Sequence, residues 1–277
     1  MELKRQKLVF IGAGNMAEAL ISGILKANLV EKENLLVTDV NLKRLEFFNQ
    51  ALGVKGVSDN KEAVPHADII VLSIKPQMMA NVLDEIAVVL EPGQKVISIA
   101  AGITTKFIEE ACLVSKLTKE IPVIRVMPNT PALIGHGMTG ICAGRYAQTE
   151  DMELARVIFE AVGKVVVVKE EQMDAVTALS GCGPAYVFTI VEVLTEAGVS
   201  LGLSREISLI LAIETVEGAA KMLKETKEDP AILRNKVTSP GGATIAALNV
   251  LEEKGFRETF IQAVTAAAKR SKELSLE

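Results

Sequence analysis

Residues 12–17, Gly12-Ala13-Gly14-Asn15-Met16-Ala17, stand between a short apolar run and a segment of helical period. That order suits phosphate binding. The first glycine permits a tight turn out of a strand, the second lets the backbone approach a pyrophosphate, and a small third residue, Ala17, keeps helix and strand close. The first helical turn then offers unpaired N–H groups to an anion. Ordinary strand-to-helix turns can look the same, so the flanking elements carry the expectation that Gly12, Ala13, Gly14, Asn15, Met16 and Ala17 bind a dinucleotide. Asp39 ends the next apolar run and bears on the choice between NAD and NADP. A carboxylate there accepts from a ribose 2′-hydroxyl and repels a 2′-phosphate. Asn41, Lys43 and Arg44 follow and would favour a phosphate, and Asp39 could equally cap a helix starting near Leu42. The cofactor choice stays open.

Other strand ends carry small or stiff residues. Ser73-Ile74-Lys75-Pro76 and Ala100-Ala101-Gly102 follow apolar runs and suit either a floor under ribose and nicotinamide or simple turns. Lys75 fits a cofactor contact or a solvated lysine equally. Met127-Pro128-Asn129-Thr130-Pro131 brackets two polar side chains with prolines. Such a loop can place the Asn129 amide near a nicotinamide or be a surface turn. Near the far end, Thr238-Ser239-Pro240-Gly241-Gly242-Ala243-Thr244 precedes a helical segment. Gly241, Gly242 and the first helical turn expose N–H groups, an anion site suited to a substrate carboxylate, and Thr244 adds a hydroxyl for a nitrogen. Helix capping alone would use the same residues. Ser180-Gly181-Cys182-Gly183-Pro184 imitates a nucleophile elbow, but no strand is expected before it. His66 and His136 fall in a connection and a loop, so covalent catalysis is not expected.

The elements that must position these residues follow from periodicity. Strands are expected at 7–12, 35–38, 69–73, 95–99 and 123–127, with helices at 16–27, 42–52 and 78–90 among those between them. This alternation is that of a parallel sheet wrapped by helices, and ligands bind such sheets at the carboxyl ends of the strands. A further apolar run covers 164–169. From Glu170 onward only helical period is seen, with helices at 184–198, 206–224, 244–253 and 256–274. The expected fold class is therefore an α/β Rossmann-type doubly wound sheet over 1–169, followed by an all-α domain over 170–277. Its Ala-rich helices, apolar on more than one face, suit burial against a second chain, hence a homodimer or a higher homo-oligomer built from dimers.

A formal net charge of -5 argues against a nucleic-acid partner, which needs a basic face. Three scattered cysteines, Cys112, Cys142 and Cys182, have no metal-ligand spacing and suggest neither a disulfide framework nor a metal. The apolar run near the start is broken at once by a glycine turn, unlike a signal peptide. Residues 186–203 are apolar but contain Glu192 and Glu196, so a buried helix is expected there rather than a membrane span. A cytoplasmic location and a small-molecule substrate are the resulting expectations.

Together, FIGAGNMAEAL near the start and LRNKVTSPGGATIAALNVLEEKGFR near the end resemble the pyrroline-5-carboxylate reductase family. VLSIKP, SIAAGIT, RVMPNTPALIGHGMT and ALSGCGPAYVF lie between them in that family's order. The resemblance implies a Rossmann domain, a helical domain that dimerises intimately, and an active site where one subunit's sheet faces the other's helices. It implies that Gly12–Ala17, Asp39, Asn60, Ser73–Pro76, Ala100 and Ala101 contact NAD or NADP, and that Glu170, Ala243 and Thr244 line the substrate pocket. Three positions depart from common family residues: Lys236 for Asn, Cys182 for Ser, and Asp39 for a small hydroxyl residue. The implied chemistry is hydride transfer to the C=N carbon of a cyclic imine, giving proline, with no metal. A β-hydroxyacid dehydrogenase of similar architecture would need a helix-borne Lys and an Asn one turn later. Lys221 is present, but Glu225 stands at the second place. A dinucleotide-sensing module would need a recognition partner, and neither a basic patch nor an effector tail is visible.

Overall fold

A computed structural model describes residues 3–113 and 120–274. The chain alternates β1 (Leu8–Ile11), α1 (Asn15–Lys26), β2 (Leu35–Thr38), α2 (Leu42–Phe47), β3 (Lys55–Val57), α3 (Asn60–Ala63), β4 (Ile69–Leu72), α4 (Met79–Ala87), β5 (Lys95–Ser98) and α5 (Thr105–Leu113). It continues with β6 (Val123–Met127), β7 (Gly137–Ala143), α6 (Thr149–Glu160), β8 (Gly163–Val167) and α7 (Met173–Val176). Helices α8 (Gly183–Ser200), α9 (Arg205–Thr226), α10 (Pro230–Lys236), α11 (Ala243–Glu253) and α12 (Phe256–Leu274) follow. The strands form one sheet in the order β3-β2-β1-β4-β5-β6-β7-β8, and every pairing is parallel except β6 with β7. The strand order reverses between β1 and β4, whose carboxyl ends open the crevice where such sheets take ligands.

β1 and β4 are buried at every residue, which is why they read as unbroken apolar runs, LVFI and IIVL. Alternate β1 side chains feed two cores. Leu8 and Phe10 pack with Leu20, Ile21 and Ile24 of α1 and with Phe159 of α6, while Val9 and Ile11 pack with Leu83 and Ile86 of α4 and Ile108 of α5.

Two strands lie where no strand was expected. β3 holds only Lys-Gly-Val and pairs with β2 alone, at the sheet edge. β7 carries two glycines and runs antiparallel, so neither apolar continuity nor strict alternation announces it. The single helix expected over 42–52 instead changes pitch, with α2 followed by a π-helical turn, Phe48–Leu52.

The chain divides into two compact units, Met1–Cys182 with Ala267–Glu277, and Gly183–Ala266. Residues 170–182 group with the sheet because they pack on it. Asn129 Nδ2 donates to the Ser180 carbonyl at 3.0 Å, and Thr105 N–H donates to Glu170 Oε1 at 2.7 Å.

Within the second unit α8 and α9 pack at small residues. A Cβ on Gly198 would meet Ser208 Cβ at 2.8 Å. Ser204 caps α9, and Asp229 caps α10 by accepting from Ala231 N–H at 2.7 Å, with Pro230 preset at the first helical position. Phe260 of α12 meets Tyr186 of α8 edge-on at 5.7 Å. The expectation that residues 186–203 are buried does not hold within one chain. Only Thr195 of α8 is buried, while Phe188, Val193 and Leu201 lie exposed. The helix is apolar on more than one face, and within one chain those faces stay largely uncovered. The stretch Glu170–Ser200 is long and apolar enough to cross a membrane by length and composition.

Candidate active site

Three strand ends meet at the glycine turn. Gly12 N–H donates to the Thr38 carbonyl at 2.8 Å, and Ser73 N–H donates to the Ile11 carbonyl at 2.8 Å, tying β1 to β2 and β4. Gly12 has φ +101°, and a Cβ there would collide with the Ser73 carbonyl, so only glycine brings the two turns this close. Gly14 caps α1, and nothing lies within 4 Å of where its Cβ would stand. That open face sits before the unpaired N–H groups of the first turn, a cradle of the shape a pyrophosphate needs. Ala17 is fully buried against the sheet.

Asp39 is tied to this turn. Its Oδ2 accepts from Ala13 N–H at 2.7 Å and its Oδ1 from Asn41 N–H at 2.8 Å. Asn41, not Asp39, caps α2, its Oδ1 accepting from Lys43 N–H at 3.1 Å. The alternative of Asp39 as helix cap is thus ruled out. Arg44, one turn into α2, points back: Nε donates to the Ala13 carbonyl at 2.7 Å and a terminal nitrogen donates to Glu18 Oε2 at 2.8 Å. Its guanidinium also lies 4.9 Å from the Phe47 ring centroid and 5.4 Å from that of Phe48.

The remaining first-unit residues separate into those facing open space and those already bonded. Lys75 is exposed; Ser73, Ile74 and Pro76 are half-buried; Ala100 is buried and Ala101 half-buried. Asn60 opens α3, where it accepts from the Thr38 hydroxyl at 2.5 Å and donates to Glu85 Oε2 at 3.0 Å, linking β2 to α4. The Asn129 amide spans two segments, accepting from Met138 N–H at 2.8 Å while donating to Ser180.

A buried polar group beneath Glu170 had no sequence signal. Thr105 donates to Glu170 through its N–H at 2.7 Å and its hydroxyl at 2.6 Å. Arg125, interior to β6, lies 3.5 Å from Glu170 and 3.8 Å from Asp174, and the Ser271 hydroxyl donates to Asp174 at 2.8 Å. A lone arginine inside an apolar run gives no clue to partners 45 or more residues away. Nearby, Glu109 accepts from Arg145 N–H at 2.6 Å, and burial pushes its pKa above the ordinary 4.5.

In the second unit, Gly241 takes φ +68° with nothing within 4 Å of its Cβ position, and Gly242 N–H closes the turn onto the Ser239 carbonyl at 3.1 Å. Gly242 then caps α11. Thr244 is exposed and second in that helix. Threonines inside the neighbouring helices spend their hydroxyls on the carbonyl four residues back, as Thr215 does on Leu211 at 2.6 Å. For Thr244 that carbonyl belongs to Pro240, outside the helix, which leaves the hydroxyl available to a ligand. Lys236 pairs with Glu228 at 2.5 Å.

Burial raises Cys112 to about 11 and Cys142 to about 12, so neither supplies a thiolate near neutrality. Cys182 follows a helical segment, not a strand. Among the described residues no group of His, Cys, Asp or Glu could hold a metal ion.

The arrangement, a glycine turn at a switch point and a Gly-Gly helix start in a separate helical unit, has counterparts in known proteins. The family model for pyrroline-5-carboxylate reductase dimerisation matches residues 170–274, and that for coenzyme F420-dependent NADP oxidoreductases matches residues 7–102. Pyrroline-5-carboxylate reductase 1 of Bacillus subtilis is 41% identical over 98% of this chain and 90% of its own. The chain belongs to the pyrroline-5-carboxylate reductase family. Another member, from Arabidopsis thaliana, is 41% identical over 97% of this chain and 95% of its own. Among solved reductases, that of Plasmodium falciparum with NADP bound superposes with a TM-score of 0.88 at 36% identity, covering 99% of both chains. That of Coxiella burnetii also gives 0.88, at 41% identity and 98% of both. The reductase dimerisation match covers the helices whose apolar faces lie exposed here, which accounts for those faces by self-association and makes the chain a homo-oligomer.

Proposed function

We propose that this chain is a pyrroline-5-carboxylate reductase, reducing the C=N carbon of 1-pyrroline-5-carboxylate to give L-proline in the final step of proline biosynthesis. One observation carries the reading: family membership runs the length of the chain, through both the glycine turn and the Ser239–Thr244 loop. When bound, a reduced nicotinamide supplies the hydride. Gly12 to Ala17 hold its pyrophosphate, Asp39 and Asn60 face the ribose side, and Ser73–Pro76, Ala100, Ala101 and Asn129 form the floor. The open cradle at Gly14 fits that group, because the phosphate must approach backbone there.

Gly241 and Ala243 present N–H groups to the substrate carboxylate, and Gly242, whose own N–H closes the turn onto Ser239, lines the pocket between them. The Thr244 hydroxyl bonds the ring nitrogen, and Glu170 lines the pocket. The protein's work is alignment, since an imine that enters protonated needs no further acid to become electrophilic. Asp39 supports NADH over NADPH, because a carboxylate at the end of β2 would accept from a ribose 2′-hydroxyl and repel a 2′-phosphate. The functional assembly is a dimer or a multiple of dimers, acting in the cytoplasm. The test is a nicotinamide absorbance assay with the cyclic imine and each cofactor in parallel. Turnover with proline as product is expected, and folded protein inactive with both cofactors would overturn the reading.

A further inference from the structure

Two side chains from the segment after β2 grip both polar edges of Ala13, Asp39 on its N–H and Arg44 on its carbonyl. Arg44 is the cation that is drawn into the glycine turn, where its Nε and one terminal nitrogen are already engaged. Glu18, in the first turn of α1, takes a terminal nitrogen at 2.8 Å, and Phe47 and Phe48 flank the plane. We propose that Glu18 is a cofactor-specificity residue. By holding Arg44 on the glycine turn, it withholds the guanidinium from a 2′-phosphate and keeps the site selective for NADH.

Charge and geometry both support this. Within the bonded cluster, Asp39 and Glu18 set two negative charges against the one positive charge of Arg44, which opposes a 2′-phosphate even with Lys43 exposed one residue earlier. Arginine binds phosphate best with two parallel N–H donors. Here the Nε donor is spent on the Ala13 carbonyl and one terminal nitrogen on a carboxylate. Both side chains remain about one-third exposed, 29% for Arg44 and 32% for Glu18, so the pair sits at the surface where a cofactor would reach it. An ion pair so exposed contributes little to stability, and a purely structural role predicts no change in cofactor choice when it is broken.

This rests on the nicotinamide-binding reading above, and the test separates the two. Dissociation constants for NADH and NADPH are measured by fluorescence without substrate, on unmodified protein, Glu18→Gln, Arg44→Ala and the double variant. Glu18→Gln should shift the affinity ratio toward NADPH by about tenfold, as expected for one released charge pair at a protein surface. In the double variant that gain should vanish, because it depends on the freed guanidinium. An unchanged ratio in Glu18→Gln, or a gain that survives without Arg44, overturns the proposal. Should Glu18→Gln fail to fold, Arg44→Ala decides alone. A ratio moved less than about threefold supports a withheld arginine, whereas a tenfold loss of NADPH affinity with NADH intact shows that Arg44 already reads the phosphate. Unmodified protein that binds neither dinucleotide would fell the underlying reading and this one with it.

Discussion

Thr244 and Asp39 present two kinds of availability. Thr244 is exposed, at a helix position with no internal carbonyl to occupy its hydroxyl. Replacing it with Val keeps the branch and removes the donor. kcat/KM for the imine should fall about 10–100-fold if the bond strengthens toward the transition state, with cofactor affinity unchanged. Steady-state kinetics beside a binding titration check this, and full activity in Thr244→Val would leave the residue only its place in the helix. Asp39 is more constrained, since it already accepts two N–H groups and keeps lone pairs on both oxygens for a ribose hydroxyl. Asp39→Ser should improve NADPH use and weaken NADH use together, changing the ratio of kcat/KM values about tenfold. An unmoved ratio would confine Asp39 to bracing the turn.

At the scale of elements, the junction of α5 with the end of β7 rests on Glu109. Its raised pKa means that the folded chain binds a proton there more tightly than the unfolded chain does. Stability from this group therefore falls as pH rises from its ordinary 4.5 through the raised folded value. Glu109→Gln removes the titration. Urea unfolding midpoints of wild type minus variant should decline with pH across that window and then level off, and parallel curves would show that Glu109 titrates alike in both states. How far such elements can be read from sequence depends on how local their causes are. β1, β4 and the turn at Gly12 are legible because burial on two faces and a tight turn each impose a residue type on the spot. β7 is not, because its Gly140 answers to Val176, whose methyl would lie 2.7 Å from an added Cβ. The same holds for Glu170, whose partners Thr105 and Arg125 arrive from the start of α5 and from β6. Gly14 and Thr244 show in the sequence because each stands at a glycine-marked helix start, a local pattern. The bond of Asp39 to Ala13 does not, since it depends on how β1 and β2 lie side by side.

For the whole molecule, the apolar surface of the helical unit sets the requirement for a partner. Ile207, Ile210 and Leu211 make an i, i+3, i+4 stripe on α9, and Ile213 extends the apolar surface around it. Each buried isoleucine contributes about 1.5–3 kcal/mol, and a symmetric interface counts it twice. The unmodified protein should sediment as a dimer or a multiple of dimers. Ile210→Lys should shift it toward monomer and lower activity in step, while a monomeric, fully active wild type would contradict that assignment. The path of α12 has a different consequence. Its last turn returns to the first unit, with Ser271 bonded to Asp174 and Leu274 packed against Gly102. The sheet-bearing unit is therefore completed only by residues 267–274, so during synthesis it lacks them until the helical unit has left the ribosome. A nascent chain halted at Cys182 would carry the entire glycine turn and still lack one wall of its own fold.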